Sequence, residues 1–144
     1  MYKSILVPVD LGDETSFDNA LPVAASLAAK DGAEIHVLTV LPTSGMSVVS
    51  SYLPEDYAEL TSGTAKKALS AALEDKRSLC GTVTVKGHVA RGSVYQEIIS
   101  AAQSFECDAI VMTAHRPELK DYLLGPNAAR VVRHAPQSVM VVRD

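Results

Sequence analysis

The regular alternation of five short apolar runs with helix-length segments constrains this fold more than any other feature. The first run, "SILVPV" at 4–9, is apolar after its serine, which is typical of a parallel strand buried on both faces. The sequence predicts strands at 4–9, 34–41, 82–90, 108–114 and 138–143, and helices at about 20–30, 55–79, 94–105 and 127–135. This order predicts an α/β fold, with right-handed crossovers joining the strands of a parallel sheet.

Local signals set several of the predicted helix boundaries. The segment "DETSFDN" at 13–19 offers several N-capping side chains before the first helix. Pro22 predicts a kink in that helix or a first turn that starts late. Gly32 predicts its end, and Ser93 is a predicted cap of the third helix. The connection at 43–56 is long and bears Ser, Pro and Gly, which is typical of functional or mobile loops.

Composition excludes several classes of protein. With 144 residues, 47% of them hydrophobic and 21% charged, the chain is predicted to form one globular domain, 1–144. A net charge of −4 argues against a nucleic-acid partner. No apolar run approaches the roughly 18 residues of a membrane span, and the N-terminus has no signal-peptide pattern. Cys80 and Cys107 are expected to be reduced, buried thiols of a cytoplasmic protein.

Residues at the carboxyl ends of the predicted strands are the first candidates for a binding site. Ligands of open α/β sheets bind outside these ends, near the point where the strand order reverses. This rule selects 8–10, 40–42, 90–92 and the loop at 113–127. Asp10 directly follows the first strand, where a carboxylate can accept hydrogen bonds from ribose hydroxyls. The position equally suits a turn or cap residue, and both interpretations stay open.

The loop "TAHRPELKDYLLGPN" at 113–127 carries the second set of candidates. Gly125 precedes a predicted helix whose free N–H groups and positive dipole end attract anions. His115, Arg116 and Lys120 add donors or positive charge. Gly-Pro-Asn is also ordinary helix-start chemistry, an interpretation that spacing alone slightly favours. The loop matches neither the Walker pattern nor G-x-G-x-x-G.

The sequence predicts neither a catalytic residue nor a metal site. His36 and His88 fall within strands and His134 on the last helix, and no pair of them has metal-ligand spacing. The chain has no G-x-S-x-G elbow and no C-x-x-C motif.

Three segments resemble the universal stress protein family. These are "ILVPVD" at the start, "VLTVLP" after the first helix and, above all, "LLGPNAARVVRHAPQSVMVVR". The resemblance covers the whole chain, and the loop "AHRPELKDYLLGPNAA" looks most like the branch of universal stress proteins F and G. It implies a single-domain, Rossmann-like fold similar to the adenine nucleotide alpha hydrolases, with five parallel strands in the order 3-2-1-4-5. It also implies a homodimer that pairs the strands at 138–143.

The resemblance further implies binding of ATP or AMP, with Mg²⁺ held, if bound, through the phosphates. Pro8 and Val9 would then line the base, Asp10 would accept from the ribose and Val40 would contact adenine. Met112 and Thr113 would flank the base and the first phosphate. The phosphates would be held by His115, Arg116, Gly125, Pro126 and Asn127. Such a protein would be a cytosolic sensor or regulator, with at most slow ATP hydrolysis or autophosphorylation.

The chain departs from the family's G-2x-G-9x-G-[ST] motif. Thr113 and Arg116 stand where the first two glycines are usual, the spacer before Gly125 is one residue shorter, and Pro126 replaces the Ser or Thr. Proline also removes one backbone N–H donor. These departures favour an alternative function, a nucleotide-free dimer that acts through protein contacts. A nucleotidyl-transfer or electron-transfer enzyme of similar architecture is a weaker alternative, because an H-x-x-H signature is absent.

Overall fold

The computed structural model describes residues 1–41, 62–114 and 126–143. Five strands and four α-helices alternate along these ranges. The strands are β1 (Ser4–Val9), β2 (Glu34–Leu41), β3 (Val85–Arg91), β4 (Ala109–Thr113) and β5 (Ser138–Val142). The helices are α1 (Glu14–Asp31), α2 (Ser62–Asp75), α3 (Val94–Ser104) and α4 (Pro126–His134), with a short 3₁₀ helix at Arg77–Leu79.

All five strands form one parallel sheet in the order β3-β2-β1-β4-β5, as predicted. The chain moves from β1 outward through β2 to β3 and then crosses back to β4 on the other side of β1. The strand order therefore reverses between β1 and β4. In open sheets of this kind the crevice at the reversal is the usual ligand site.

Two cores cover the two faces of the sheet. Odd-numbered residues of β1 pack with α1 and α2 in the first core, which includes Ile5, Val7, Phe17, Leu21 and Leu69. Leu6 points to the opposite face and packs with α3 and α4 in the second core, which includes Leu38, Ile98, Ile110 and Val131. Because successive strand residues face opposite sides, the unbroken burial of β1 follows from helices on both faces.

The first helix begins six residues earlier than predicted. Asp13 is its N-cap and accepts a hydrogen bond from the Thr15 N–H, while Gly32 ends the helix in the left-handed conformation (φ 67°). Pro22 therefore lies inside an 18-residue helix, and the predicted late start at this proline is wrong. Pro22 is exposed, so the Asp18 carbonyl four residues earlier can find a partner in water.

The other boundaries differ from the predictions by a few residues. β3 begins at Val85 rather than at 82, and α2 ends at Asp75 before the 3₁₀ turn. The predicted helix at 55–61 and the loop at 43–56 lie outside the described residues. Within the described ranges, no helix is both long and apolar enough to cross a bilayer.

Candidate functional site

The strand order reverses between β1 and β4, and the position beyond the carboxyl ends of these two strands is named here the β1–β4 crevice. Pairing of β1 with β2 runs from Ser4 to Val9, whereas pairing of β1 with β4 stops at Leu6↔Ile110. Beyond Leu6, β1 is paired in register with β2 but not with β4. This part of β1 lies at the end of the sheet where ligands of this architecture bind.

Pro8 explains why the pairing stops. The Ser4 carbonyl accepts from the Asp108 N–H next to β4, so the main-chain groups of even-numbered β1 residues face β4. The next rung of the ladder requires an N–H from residue 8, and proline has none. The lost rung costs about 0.5–1.5 kcal/mol in hydrogen bonding. The sequence of β1 itself therefore sets where its pairing with β4 ends.

Three of the predicted base-contacting residues meet at this crevice on one face of the sheet. Val40 and Met112 belong to the second core, and Pro8 shares their face because it follows Leu6 by two residues. If the β1–β4 register continued, Met112 would lie level with Pro8. Met112 is buried and Val40 half-buried. These side chains can line an apolar pocket at the mouth of the crevice.

Val9 and Thr113 occupy the other face. Val9 is a buried member of the first core, and Thr113 follows the buried Val111 of the same core by two residues. Their side chains therefore point away from Pro8, Val40 and Met112. A ligand on the second-core face would meet them through their main chains.

Asp10 stands at the carboxyl end of β1 and is half-buried. Its Oδ1 accepts a hydrogen bond of 2.9 Å from the Gly12 N–H, and its carbonyl accepts from the Asp13 N–H at 3.0 Å. The turn interpretation of Asp10 is confirmed by these contacts, and its hydrogen bonding to a ribose stays a prediction. A carboxylate has about four lone-pair sites, so one N–H does not exhaust its capacity as an acceptor.

The predicted phosphate-binding residues are described only in part. Helix α4 begins at Pro126, which is exposed, followed by half-buried Asn127 and buried Ala128. The N–H groups of Asn127 and Ala128 belong to the first turn, which lacks intrahelical acceptors. The helix start thus retains anion-binding donors despite the proline. His115, Arg116 and Gly125 lie outside the described residues, and their roles stay predictions.

Comparison with known proteins decides the family. The family model described as "Universal stress protein family" matches residues 1–143. The chain is 33% identical over 145 residues to Universal stress protein G of Shigella flexneri, covering 99% of this chain and 100% of the relative. The chain belongs to the universal stress protein family. The predicted membership and the similarity to universal stress protein G are confirmed.

Solved universal stress proteins share this fold. One from Archaeoglobus fulgidus in complex with dAMP has a TM-score of 0.69 at 22% identity, covering 98% of each chain. Another, in complex with cAMP, has a TM-score of 0.69 at 20% identity, covering 99% of this chain and 97% of that one. At these identities the similarity establishes the architecture.

A histidine pair that the sequence did not reveal lies on the β2–β3 side of the sheet. His36 Nδ1 on β2 lies 2.9 Å from His88 Nε2 on β3, and His36 Nε2 lies 3.2 Å from Glu34 Oε1. Phe105, just after α3, stacks on both rings, at centroid distances of 5.0 Å and 4.0 Å. Burial is the main cause that lowers the pKa of His88, and the neighbouring His36 lowers it further.

The pair does not form a metal centre with its neighbours. Glu34 bonds to the ring nitrogen of His36 that faces away from His88, so the three groups do not converge on one point. Across the described ranges, no cluster of three or more His, Cys, Asp or Glu side chains is arranged to hold a metal. The sequence signal was weak because the two histidines become neighbours only through the β2–β3 register.

Both cysteines are buried free thiols. Burial raises the pKa of the Cys80 thiol. Burial also raises the pKa of the Cys107 thiol, and a contact of 3.4 Å with the Ser4 hydroxyl offsets part of that increase. A raised pKa keeps a thiol protonated and unreactive near neutral pH. Neither cysteine is therefore a candidate nucleophile.

Proposed function

We propose that this universal stress protein binds an adenine nucleotide, ATP or AMP, at the carboxyl ends of β1, β2 and β4. The observation that carries the proposal is the cluster of apolar side chains and one carboxylate at the carboxyl ends of β1, β2 and β4, beside the strand-order reversal. The chemistry of this cluster fits such a ligand. Pro8, Val40 and Met112 offer an apolar surface for a base, and Asp10 offers an acceptor for ribose hydroxyls.

Two related structures support an adenine nucleotide over other ligands. Universal stress proteins of the same fold have been solved in complex with dAMP and with cAMP. We infer that the α4 start and the preceding loop, with His115, Arg116, Gly125, Pro126 and Asn127, would hold the phosphates. Mg²⁺, when bound, would be held by phosphates and water, as this ion usually is.

We infer that the protein acts as a sensor or regulator with at most slow hydrolysis. No general base or nucleophile can be named among the described residues at the crevice, since Asp10 is engaged in its turn and assigned to the ribose. The binding energy of the nucleotide would serve to stabilise one conformation of the protein. A cytosolic location is part of the proposal, and the two buried free thiols support it.

We also propose a homodimer formed by antiparallel pairing of β5, the strand predicted at 138–143, with its copy. Met140 on β5 and Val132 on α4 each keep 45% of their surface exposed, which is high for large apolar side chains. An apolar edge strand left open is an aggregation hazard, and pairing with a second copy removes it. The alternative function, a nucleotide-free dimer that acts through protein contacts, would use the same interface.

A calorimetric titration tests the nucleotide proposal. Nucleotide-stripped protein is titrated with ATP, AMP and GTP in the presence of Mg²⁺. We expect saturable, adenine-selective binding that weakens about tenfold or more in Asp10→Ala, because a charged acceptor is lost. Asp75→Ala is the matched control, since it removes an exposed carboxylate of α2 away from the crevice. Absence of binding up to millimolar nucleotide would favour the nucleotide-free dimer.

A further inference from the structure

The buried hydroxyl of Ser16 connects the start of α1 to the end of β1. Ser16 is the third residue of α1, and only 5% of its surface is exposed. Its Oγ accepts from the Asp10 N–H at 2.9 Å and donates to the Asp13 carbonyl at 2.7 Å. The Asp10 carbonyl, 3.2 Å away, is an alternative acceptor. One hydroxyl therefore fixes main-chain groups at both ends of the β1–α1 turn.

This arrangement holds the main chain from which the Asp10 carboxylate projects. The backbone of Asp10 is held by Ser16 through its N–H and by Asp13 through its carbonyl, while Gly12 holds one side-chain oxygen. The contact from Ser16 is made by a side chain that is only 5% exposed, and the bond itself is partly buried. A partly buried hydrogen bond exchanges less readily with water than an exposed one, so its loss weakens the restraint on the Asp10 N–H.

We propose that Ser16 is a positioning residue of the nucleotide site, which fixes the main chain at Asp10 and thereby aims the Asp10 carboxylate before the ligand binds. The inference rests on the proposed function, because it assigns to Ser16 a role in the site that Asp10 would form. A protein side chain that is already ordered before the nucleotide binds loses less entropy on binding. We therefore expect Ser16 to increase the affinity for nucleotide.

The adjacent Thr15 provides a matched control. Its hydroxyl also lies in the first turn of α1, and it donates to Asp13 Oδ1 at 2.6 Å without contacting Asp10. Thr15→Ala therefore removes a hydroxyl from the same turn and leaves the Ser16–Asp10 bond in place. Ser16→Thr is the conservative variant, because it keeps the hydroxyl.

Two measurements on the full chain test the inference. The first is amide hydrogen exchange at Asp10 by NMR, without nucleotide. We expect slow exchange in wild type, Thr15→Ala and Ser16→Thr, and exchange at least about tenfold faster in Ser16→Ala, because the acceptor of the Asp10 N–H is lost. Fast exchange at Asp10 in wild type would overturn the inference whether or not nucleotide binds.

The second measurement is the dissociation constant for ATP in a double-mutant cycle. We expect Ser16→Ala to weaken binding about tenfold, the effect of one lost hydrogen bond. We expect it to change affinity less than about twofold in an Asp10→Ala background, because the two residues would act as one unit. Ser16→Thr should restore affinity, and Thr15→Ala should leave it unchanged.

The failures of the two proposals differ in this experiment. Absence of ATP binding in wild type ends the proposed function and the inference with it, while slow Asp10 exchange would still identify Ser16 as a structural link. Normal wild-type binding with equal affinity in Ser16→Ala overturns the inference alone. An equal loss in both backgrounds would do the same, because Ser16 would then act without Asp10. Circular dichroism of each variant excludes unfolding as the cause of lost binding.

Discussion

The two edge strands of the sheet, β3 and β5, solve the problem of an open edge in opposite ways. β3 carries Lys86, Gly87 and His88, and its faces are covered by α2 and by the ring of Phe105. β5, with the sequence "SVMVV", carries no charge and leaves Met140 half exposed. Charged and irregular edges discourage pairing with another chain, whereas a flat apolar edge invites it. The difference is the reason why the proposed dimer is assigned to β5 rather than to β3.

Proline substitution at the open edge of β5 should give the largest effect. The Val142 carbonyl accepts from the Ala114 N–H, so even-numbered β5 residues bond to β4 and the Val141 N–H points to the open edge. Val141→Pro should therefore leave the β4–β5 ladder intact. In a two-fold symmetric dimer the substitution removes one hydrogen bond from each subunit. We therefore expect the association constant of the dimer, measured by sedimentation velocity, to fall about 100-fold.

Val89→Pro in β3 is the matched control for that experiment. The Thr84 carbonyl accepts from the Ile35 N–H, and the Gly92 N–H donates to the Leu41 carbonyl, so the main chain of even-numbered residues here faces β2. The N–H of the odd-numbered Val89 therefore points to the open edge of β3. The same substitution there should leave the association constant unchanged. Equal loss of the dimer in both variants, or in neither, would contradict the assignment of β5 as the dimer edge.

Enlarging Gly87 should destabilise the fold by a smaller amount. A Cβ atom on Gly87 would lie 3.1 Å from Leu69 Cδ2 and 3.1 Å from Leu73 Cδ1, so α2 packs directly on the β3 backbone. We expect Gly87→Val to lower the free energy of unfolding by about 1–3 kcal/mol in chemical denaturation, because it overpacks this contact. Leu73→Ala should restore part of that loss in the double variant. Additive losses would argue against close packing of α2 on β3.

The histidine pair should make the β3 side of the molecule sensitive to acid. The pKa of His88 is lowered by burial and then by His36, Lys86 and Lys66, so the folded protein disfavours its charged form. The stability that this group contributes is fully present above the unfolded pKa of about 6.5 and is lost as pH falls through the lower folded pKa. Denaturation between pH 7.5 and 5.5 should therefore show a falling free energy of unfolding.

His88→Gln should flatten that pH profile, because glutamine hydrogen-bonds but does not titrate. His134→Gln, which replaces an exposed histidine of α4, is the matched control and should keep the wild-type profile. Glu34 also faces the pair, but the Lys86 hydrogen bond lowers its pKa, so it titrates well below this window. A pH slope that survives in His88→Gln would assign the acid sensitivity to another group.

Removing the charge of Lys86 should have the smallest effect. Lys86 Nζ lies 3.4 Å from Glu34 Oε2, and the Lys86 side chain is 55% exposed. Solvent screens such surface pairs and they contribute little. We expect Lys86→Ala to leave the midpoint of denaturation unchanged within error. A marked loss of stability would contradict this expectation. Association of the variant through β3, detected by light scattering, would show that the Lys86 charge prevents pairing at this edge.

Much of the fold could be predicted because the strands are short, apolar and well separated. The bounds of β1 and β2 were predicted to the residue, and the strand order followed from the family resemblance. The start of α1 was missed because "DETSFDN" contains several side chains able to cap a helix. Asp13 prevails because its Oδ1 reaches both donors of Thr15, a geometry that composition alone does not specify.

The parts of the candidate site that the sequence did not reveal depend on pairing between distant residues. Pro8 was predicted to line a base, but its effect on the ladder requires knowing which neighbour its nitrogen faces. His36 and His88 are 52 positions apart and meet through register. Ser16 had a local signal, a hydroxyl six residues after Asp10, but many serines near helix starts make no such contact.

The missing rung at Pro8 also affects how the two parts of the sheet are joined. β1, β2 and β3 are bonded along their lengths, as are β4 and β5, whereas the seam between β1 and β4 is bonded only near its amino end. Side chains of α1 pack on both β1 and β4 in the first core and so bridge this seam. At the carboxyl end of the seam, side-chain packing rather than a continuous backbone ladder therefore joins the two parts of the sheet.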